Sequence, residues 1–427
     1  MSRPYAVKIR IGDLAAILLL KVLIDISAYY VLAENFQPYT LQLNLNIYKL
    51  IESYLLTLAV AIFLPTDSSR ISTIGIWLLV LMSHLPLLTV FALSDFSREW
   101  SYACTFFWIT VCLIVNFLPR FSGIPVLNHR EKYFYALVFL SYIASSAIAF
   151  LLLRNSGFGI NFNLSEVYEV RSHFSEGSGS MERYLLNAAG FVINPVLFGI
   201  GLVRRRYVFI VMAILSQAII FGVNGFKIYL FSLPLVWFIY YLHEKRWLKI
   251  GVLAASLSFL ALLSIISFVA LNDVWLSGLF TNRLLVLPAA IGYYHFDFFS
   301  NNSPIYLSQS ILSSVITSPY SELSHYIISD IYFSDPLSMA NTGMLGDMYM
   351  NFRMPGLIAL AICFSIFLIL ADSLAYKKDI RLVAAAFSMP MLALVNGTFL
   401  GVFLTGGMIF SFLLIYFLPE DNDEETA

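Results

Sequence analysis

Charge is scarce in this chain. Lys, Arg, Asp and Glu supply only 12% of its 427 residues, and 59% are hydrophobic. A water-soluble domain needs about 25% charged residues to cover its surface, so that class is excluded; with a mean hydropathy of +0.81 the chain reads as a polytopic membrane protein. Cysteine is almost absent too. Cys104, Cys112 and Cys363 all lie in apolar segments, and no C-x-x-C or Cys/His cluster accompanies them; they read as small hydrophobes rather than metal ligands. A net charge of -1 without a basic, aromatic-interleaved strip excludes a nucleic-acid partner. There is no P-loop, no G-x-G-x-x-G, no H-E-x-x-H and no G-x-S-x-G. Energy from ATP is therefore not implied, no cofactor is expected, and without a D-x-D cluster in the polar loops no metal is expected.

What is present is a succession of apolar runs, each long enough to cross a bilayer as a helix of about 20 residues or slightly less. They fall near Leu14–Ala33, Lys49–Leu64, Thr73–Leu93, Ser101–Leu118, Tyr133–Leu153, Tyr184–Val203, Tyr207–Val223, Ile228–Leu242, Ile250–Leu271, Met354–Leu374, Leu382–Leu400 and Val402–Leu418. The expected architecture is all-α, a polytopic integral membrane protein of about 12 transmembrane helices. Arg3, Lys8 and Arg10 precede the first run without an A-x-A-like cleavage site, so it reads as an anchor. Only Asn224 to Lys227 separate the seventh and eighth runs, and only Gly401 the last two.

Cation placement orients such a chain. With the N-terminus inside, the inner connections hold sixteen cations: Arg3, Lys8, Arg10, Arg70, Arg120, Arg130, Lys132, Arg204, Arg205, Arg206, Lys245, Arg246, Lys249, Lys377, Lys378 and Arg381. Lys49, Arg98, Arg154, Arg171, Arg183, Lys227, Arg283 and Arg353 fall outside, and Lys21 lies within the first helix. Both termini are then cytoplasmic. The expected divisions are 1–153 (helices one to five), 154–183 (a first outer loop), 184–271 (helices six to nine), 272–353 (a large outer loop), 354–418 (helices ten to twelve) and 419–427 (an acidic tail). A loop as long as 272–353 exceeds a connector. Ser303-Pro304 reads as a helix start, Ser308 to Ile316 keeps helical spacing, and Tyr320 to Ile328 reads as another short helix, which together predict a helical cap. Unequal loop lengths in the two halves speak against an inverted-repeat transporter.

The polar stretch Asn341 to Gly356, NTGMLGDMYMNFRMPG, closes that loop. Its Gly346, Asp347, Tyr349, Asn351, Phe352 and Gly356, after Asn341 and Gly343, resemble the G-D-x-Y-x-N-F-G-x-x-G signature of oligosaccharide repeat-unit polymerases, the Wzy-type O-antigen and capsule polymerases. Arg353 stands where that signature has glycine, and Pro355 follows two residues later. Weaker resemblance covers Val167 to Arg171, Phe221 to Lys227 and Asn282 to Ser300. It implies a bacterial inner-membrane glycosyltransferase that joins undecaprenyl-diphosphate-linked oligosaccharides into O-antigen, lipopolysaccharide or capsular polysaccharide on the periplasmic face, beside a flippase and a chain-length regulator. Related O-antigen ligases, which move the glycan to another acceptor, share the pattern, and a polysaccharide flippase is the third alternative.

The resemblance implies that Arg171, Lys227 and Arg283 hold the lipid diphosphate, a task suited to a cationic side chain and above all to a guanidinium fork; Tyr349 and Asn351 are further substrate-binding candidates. The plainer readings are a lysine reaching the interface for Lys227 and a solvated neighbour of Glu169 for Arg171. His325, in SELSHYII, can accept a proton near neutral pH, and Asp347 is the second catalytic candidate, with Asp297 and Glu322 as rival bases. Lys21 and Asp25, at i,i+4, read as a buried structural pair.

Overall fold

The computed structural model describes residues 9–36, 41–121, 124–125, 128–155, 179–226 and 228–421. Fifteen helices follow in order among them: α1 Ile11–Asn35, α2 Ile47–Phe63, α3 Ile71–Leu93, α4 Arg98–Phe117, α5 Arg130–Asn155, α6 Met181–Val203, α7 Tyr207–Asn224, α8 Ile228–Glu244, α9 Ile250–Leu271, α10 over 275–301, α11 Ser324–Phe333, α12 Met344–Leu374, α13 Ile380–Ala393, α14 Phe399–Leu404 and α15 Met408–Phe417. Eight of these (α1, α3, α4, α5, α6, α7, α9 and α12) are long and apolar enough to cross a membrane. The other expected spans correspond to shorter helices, α2 and α8 at 17 residues, α13 at 14 and α15 at 10. The all-helical, membrane-embedded character expected from composition holds.

Contacts between helix termini sort the bundle into two ends. The Asp13 carboxylate accepts from the Gly251 amide at 3.2 Å, which sets the starts of α1 and α9 together and makes the two helices parallel. At the same end Arg70 pairs with Asp372, Arg130 with Glu420, and Arg381 with Glu244. Lys378 donates to the carbonyls of Ile415 and Tyr416, capping the last turn of α15. Arg70, Arg130, Lys378 and Arg381 all belong to connections that the cation count assigns to one side. Arg3 and Lys8 lie outside the described residues, so fourteen of the sixteen cations gather at this basic end. At the opposite end Lys49 pairs with Asp95 and Arg98 with Glu52. Midway, Lys21 and Asp25 form the expected buried pair at 2.6 Å, with the Tyr54 hydroxyl donating to Asp25 at 2.9 Å.

Three helices contain a wide π turn just before a proline: Val80–His84 before Pro86, Ala189–Ile193 before Pro195, and Gly278–Val286 before Pro288. A proline donates no N–H and its ring clashes with the carbonyl four residues back. That carbonyl falls inside the widened turn in each case, and the longer hydrogen-bond loop makes room for the ring.

The segment 272–353 differs from the expected surface cap. Its first part, α10, packs inside the bundle against α3, α4 and α12, burying every residue from Pro288 to Phe296 and, past the exposed Asp297, Phe299. The reason is composition: LLVLPAAIGYY offers an apolar face that water would penalise. Ser308 to Ile316 forms successive turns instead of a helix, because Tyr306 and Leu307 adopt left-handed backbone at φ 47° and 63°. The helix expected at Tyr320 to Ile328 lies later, as α11. Between α7 and α8 the chain turns at Gly225, φ 65°, a conformation glycine adopts without strain. Gly401 is not the break between the last two runs; the chain leaves helix at 394–398 and again at 405–407, isolating α14.

Candidate functional site

The stretch from Asn341 to Gly356 is helical from Met344 onward, earlier than its polar composition suggests, and it holds together three parts of the non-basic end. Gly343 lets the chain approach the end of α13: a Cβ there would stand 2.3 Å from the Val395 carbonyl oxygen, and the next amide, Met344, donates to the Leu394 carbonyl at 3.1 Å. Asp347 accepts from the Asn351 side chain at 3.1 Å and from the Phe399 amide at 3.3 Å, so its carboxylate binds the start of α14. The Asn351 side-chain oxygen accepts from the Leu307 amide at 2.6 Å. Tyr349 packs edge-on to Trp100 and beside Phe296, with its hydroxyl 3.1 Å from that of Ser300. α12 then bends at Arg353, whose φ of 56° and ψ of -143° belong to glycine territory. This is the position where the polymerase signature has glycine.

The broken segment after α13, braced in this way, walls a cavity of about 590 Å³. Its polar lining comes from Asn187 on α6, His295 on α10, Ser324 and His325 on α11, Asn341 and Thr342, and Asn396 and Thr398. Non-helical backbone deep in a membrane bundle is tolerated where it lines a cavity, and that is where the break occurs. Nδ1 of His295 lies 3.0 Å from the Ile291 carbonyl. A carbonyl only accepts, so Nδ1 carries the proton and Nε2 is left as an acceptor. On His325, Nε2 is buried with no hydrogen-bond partner, as is the Thr342 hydroxyl. Burial holds His325 below its ordinary pKa, so its imidazole is neutral at pH 7. Unmet polar atoms of this kind cost stability unless a bound molecule satisfies them.

The cavity thus includes His325 but not every expected site residue. Asp347, Tyr349 and Asn351 do not line it; they form its frame. Arg283 is exposed on the π-helical part of α10 and also outside the lining. Twelve residues of helix separate it from His295, about 18 Å along the axis. Arg171 and Lys227 lie outside the described residues; Ile228, which follows Lys227 in the chain, lines the cavity. Of the rival bases, Asp297 accepts from the Tyr332 hydroxyl at 2.6 Å on the exposed side of α10, and Glu322 is exposed. His295, Thr342 and the Asn396-Gly397-Thr398 break were missed by sequence reasoning. For His295 the signal existed: at helical spacing it shares a face with Ile291 and Phe299, opposite Asp297.

Comparison with protein-family models, with curated proteins and with solved structures finds no match.

What the site can do follows from its groups. Two neutral imidazoles, two amides of Asn341 and Asn396, and the hydroxyls of Ser324, Thr342 and Thr398 suit an uncharged, hydroxyl-rich ligand. Among the described residues no group of three or more His, Cys, Asp or Glu is arranged to hold a metal ion.

Proposed function

We propose that this chain is a membrane-embedded glycan polymerase that joins lipid-diphosphate-linked oligosaccharide repeat units. The observation that carries the reading is the polar cavity at the non-basic end, with His325, whose Nε2 is buried without a hydrogen-bond partner, in its lining and the signature-like segment Gly346 to Phe352 as its frame. In this reading the basic end faces the cytoplasm of a bacterial inner membrane, the cavity opens to the periplasm, and the four shorter helices complete twelve passes.

A hydroxyl of one repeat unit attacks the anomeric carbon of the growing chain. The new glycosidic C–O bond forms as the anomeric bond to the diphosphate breaks, the hydroxyl proton passes to an imidazole, and undecaprenyl diphosphate leaves with the bonding electrons. His325 is assigned the proton, since neutral imidazole is the competent base near pH 7. Asn341, Thr342, Asn396 and Thr398 orient sugar hydroxyls, and Asp347, Tyr349 and Asn351 hold the framework that positions them. Lys227, by its place next to Ile228, is assigned to the departing diphosphate with Arg171. Arg283 serves only a substrate that reaches about 18 Å from the imidazoles.

The test is purified chain with a synthetic undecaprenyl-diphosphate repeat unit, with and without chelator. A ladder of products that His325→Gln abolishes is expected. Transfer to a non-lipid-linked acceptor without a ladder would make the chain a ligase instead, and unreacted repeat units moved across vesicles would make it a transporter.

A further inference from the structure

A second cavity, of about 640 Å³, lies at the basic end, remote from the first. Its ionisable lining is Arg10, Asp13, His243, Glu244, Arg246 and Lys249. The acids are already engaged: Glu244 pairs with Arg381, and Asp13 accepts from the Gly251 amide. Arg10, Arg246 and Lys249 make no ion pair among the described residues. Arg10 and Lys249 are also the residues that precede α1 and α9; neither caps its helix with its own side chain, and the one side-chain acceptor at these two starts is Asp13, which takes the Gly251 amide. Two parallel helices therefore direct the positive ends of their dipoles to a cavity lined by three cations that make no ion pair, with Asp13 as the one carboxylate not paired to a cation, which leaves the lining net positive. The hydroxyls of Thr66 and Ser68 complete the lining.

The depth of this cavity is marked independently. Trp237, Tyr241 and Trp247 form an exposed aromatic ladder at the same end, with ring centroids 5.7 and 6.5 Å apart. Exposed Trp and Tyr at a helix end mark the headgroup level of a bilayer. We infer that this cavity binds a phosphate-bearing headgroup, the phosphate held by Arg10, Arg246 and Lys249 and the acyl chains passing over the Trp237–Tyr241–Trp247 ladder. The chemistry that recognises it is a phosphate monoester or diester; its position at headgroup level selects a lipid over a soluble phosphate. This inference is independent of the catalytic reading of the first cavity.

The experiment uses the full chain in nanodiscs and measures enrichment of phosphatidylglycerol over phosphatidylcholine by native mass spectrometry, with inorganic phosphate and pyrophosphate as soluble competitors. Arg246→Ala/Lys249→Ala should lower phosphatidylglycerol enrichment roughly tenfold, while Arg205→Ala/Arg206→Ala, which removes the same charge from the same end, leaves it within about twofold. Displacement by pyrophosphate at equal enrichment would support the site but identify a soluble ligand as its occupant. Equal losses in the two double variants would reduce the effect to general surface charge and overturn the proposal, as would undiminished enrichment in the first. Melting curves of both variants, which change only residues outside the buried core, separate loss of binding from loss of fold.

Discussion

Arg70 and Asp372, 302 positions apart, meet in a buried ion pair with Nε 2.6 Å from Oδ2. Asp372 also accepts from the Ser72 amide at 2.9 Å and the Ser72 hydroxyl at 2.6 Å, and Arg70 donates to the Val115 carbonyl at 3.0 Å. One carboxylate thus fastens the end of α12 to the start of α3 and, through Arg70, to the end of α4.

Removing either partner leaves the other charge buried without compensation, a loss of about 3–5 kcal/mol. Asp372→Ala should lower the melting temperature of the purified protein sharply. A melting curve superimposable on wild type would show that the pair does not fasten these helices.

His325 gives the site a pH signature. Burial depresses its pKa, so below the ordinary histidine value of about 6.5 the unfolded chain takes up a proton that the folded chain resists. Stability is therefore lost as pH falls through that range. The melting temperature of wild type should decline on acidification, and His325→Gln should remove that part of the slope. In the proposed reaction the same proton blocks the base, so the product ladder should shorten only at pH values below the ordinary histidine value, as the depressed folded-state imidazole takes up its proton; a ladder unchanged by acidification down to the pH at which the protein unfolds would remove His325 from proton transfer.

Arg353 occupies backbone that favours glycine, with its guanidinium donating to the Asn302 carbonyl at 3.1 Å. Holding a side chain there costs on the order of 1–3 kcal/mol. Arg353→Gly should melt at or above wild type, while the β-branched Arg353→Val should melt below it. The reverse order would mean that α12 does not bend as described.

Gly343 faces a backbone oxygen, not a flexible side chain, so no rotamer change can admit a methyl group. Gly343→Ala should force α12 away from the segment 394–398 at a cost of about 1–3 kcal/mol and open the wall of the first cavity. The check is product formation alongside melting: full activity in this variant would show that the cavity wall is not needed for the reaction.

A chain so poor in charge has few places to put what it has, and this explains how much was legible in advance. Eight of the twelve expected crossings followed from apolar run length, because a bilayer imposes a length on every crossing. The grouping of cations followed too, since charged residues must cluster where water is, and the Arg70–Asp372, Arg130–Glu420 and Arg381–Glu244 contacts join residues assigned beforehand to one side. The resemblance of Gly346 to Phe352 drew attention to the segment that frames the first cavity. It did not reveal that Asp347 and Asn351 spend their hydrogen bonds on Phe399 and Leu307.

Sequence by itself determined the membrane-embedded helical class, the gathering of the described cations at one end of the bundle and the turn at Asn224-Gly225, all of which depend on short-range composition. Only tertiary structure decided that α10 lies within the bundle, that α14 is cut off by two breaks, and that His295 and His325 share a cavity with Thr342 and Asn396. Those outcomes depend on which apolar face finds a partner and which polar atom is left without one, and such pairings join residues well over a hundred positions apart, as Ser101 and Tyr293 are at 192, beyond the reach of any local pattern.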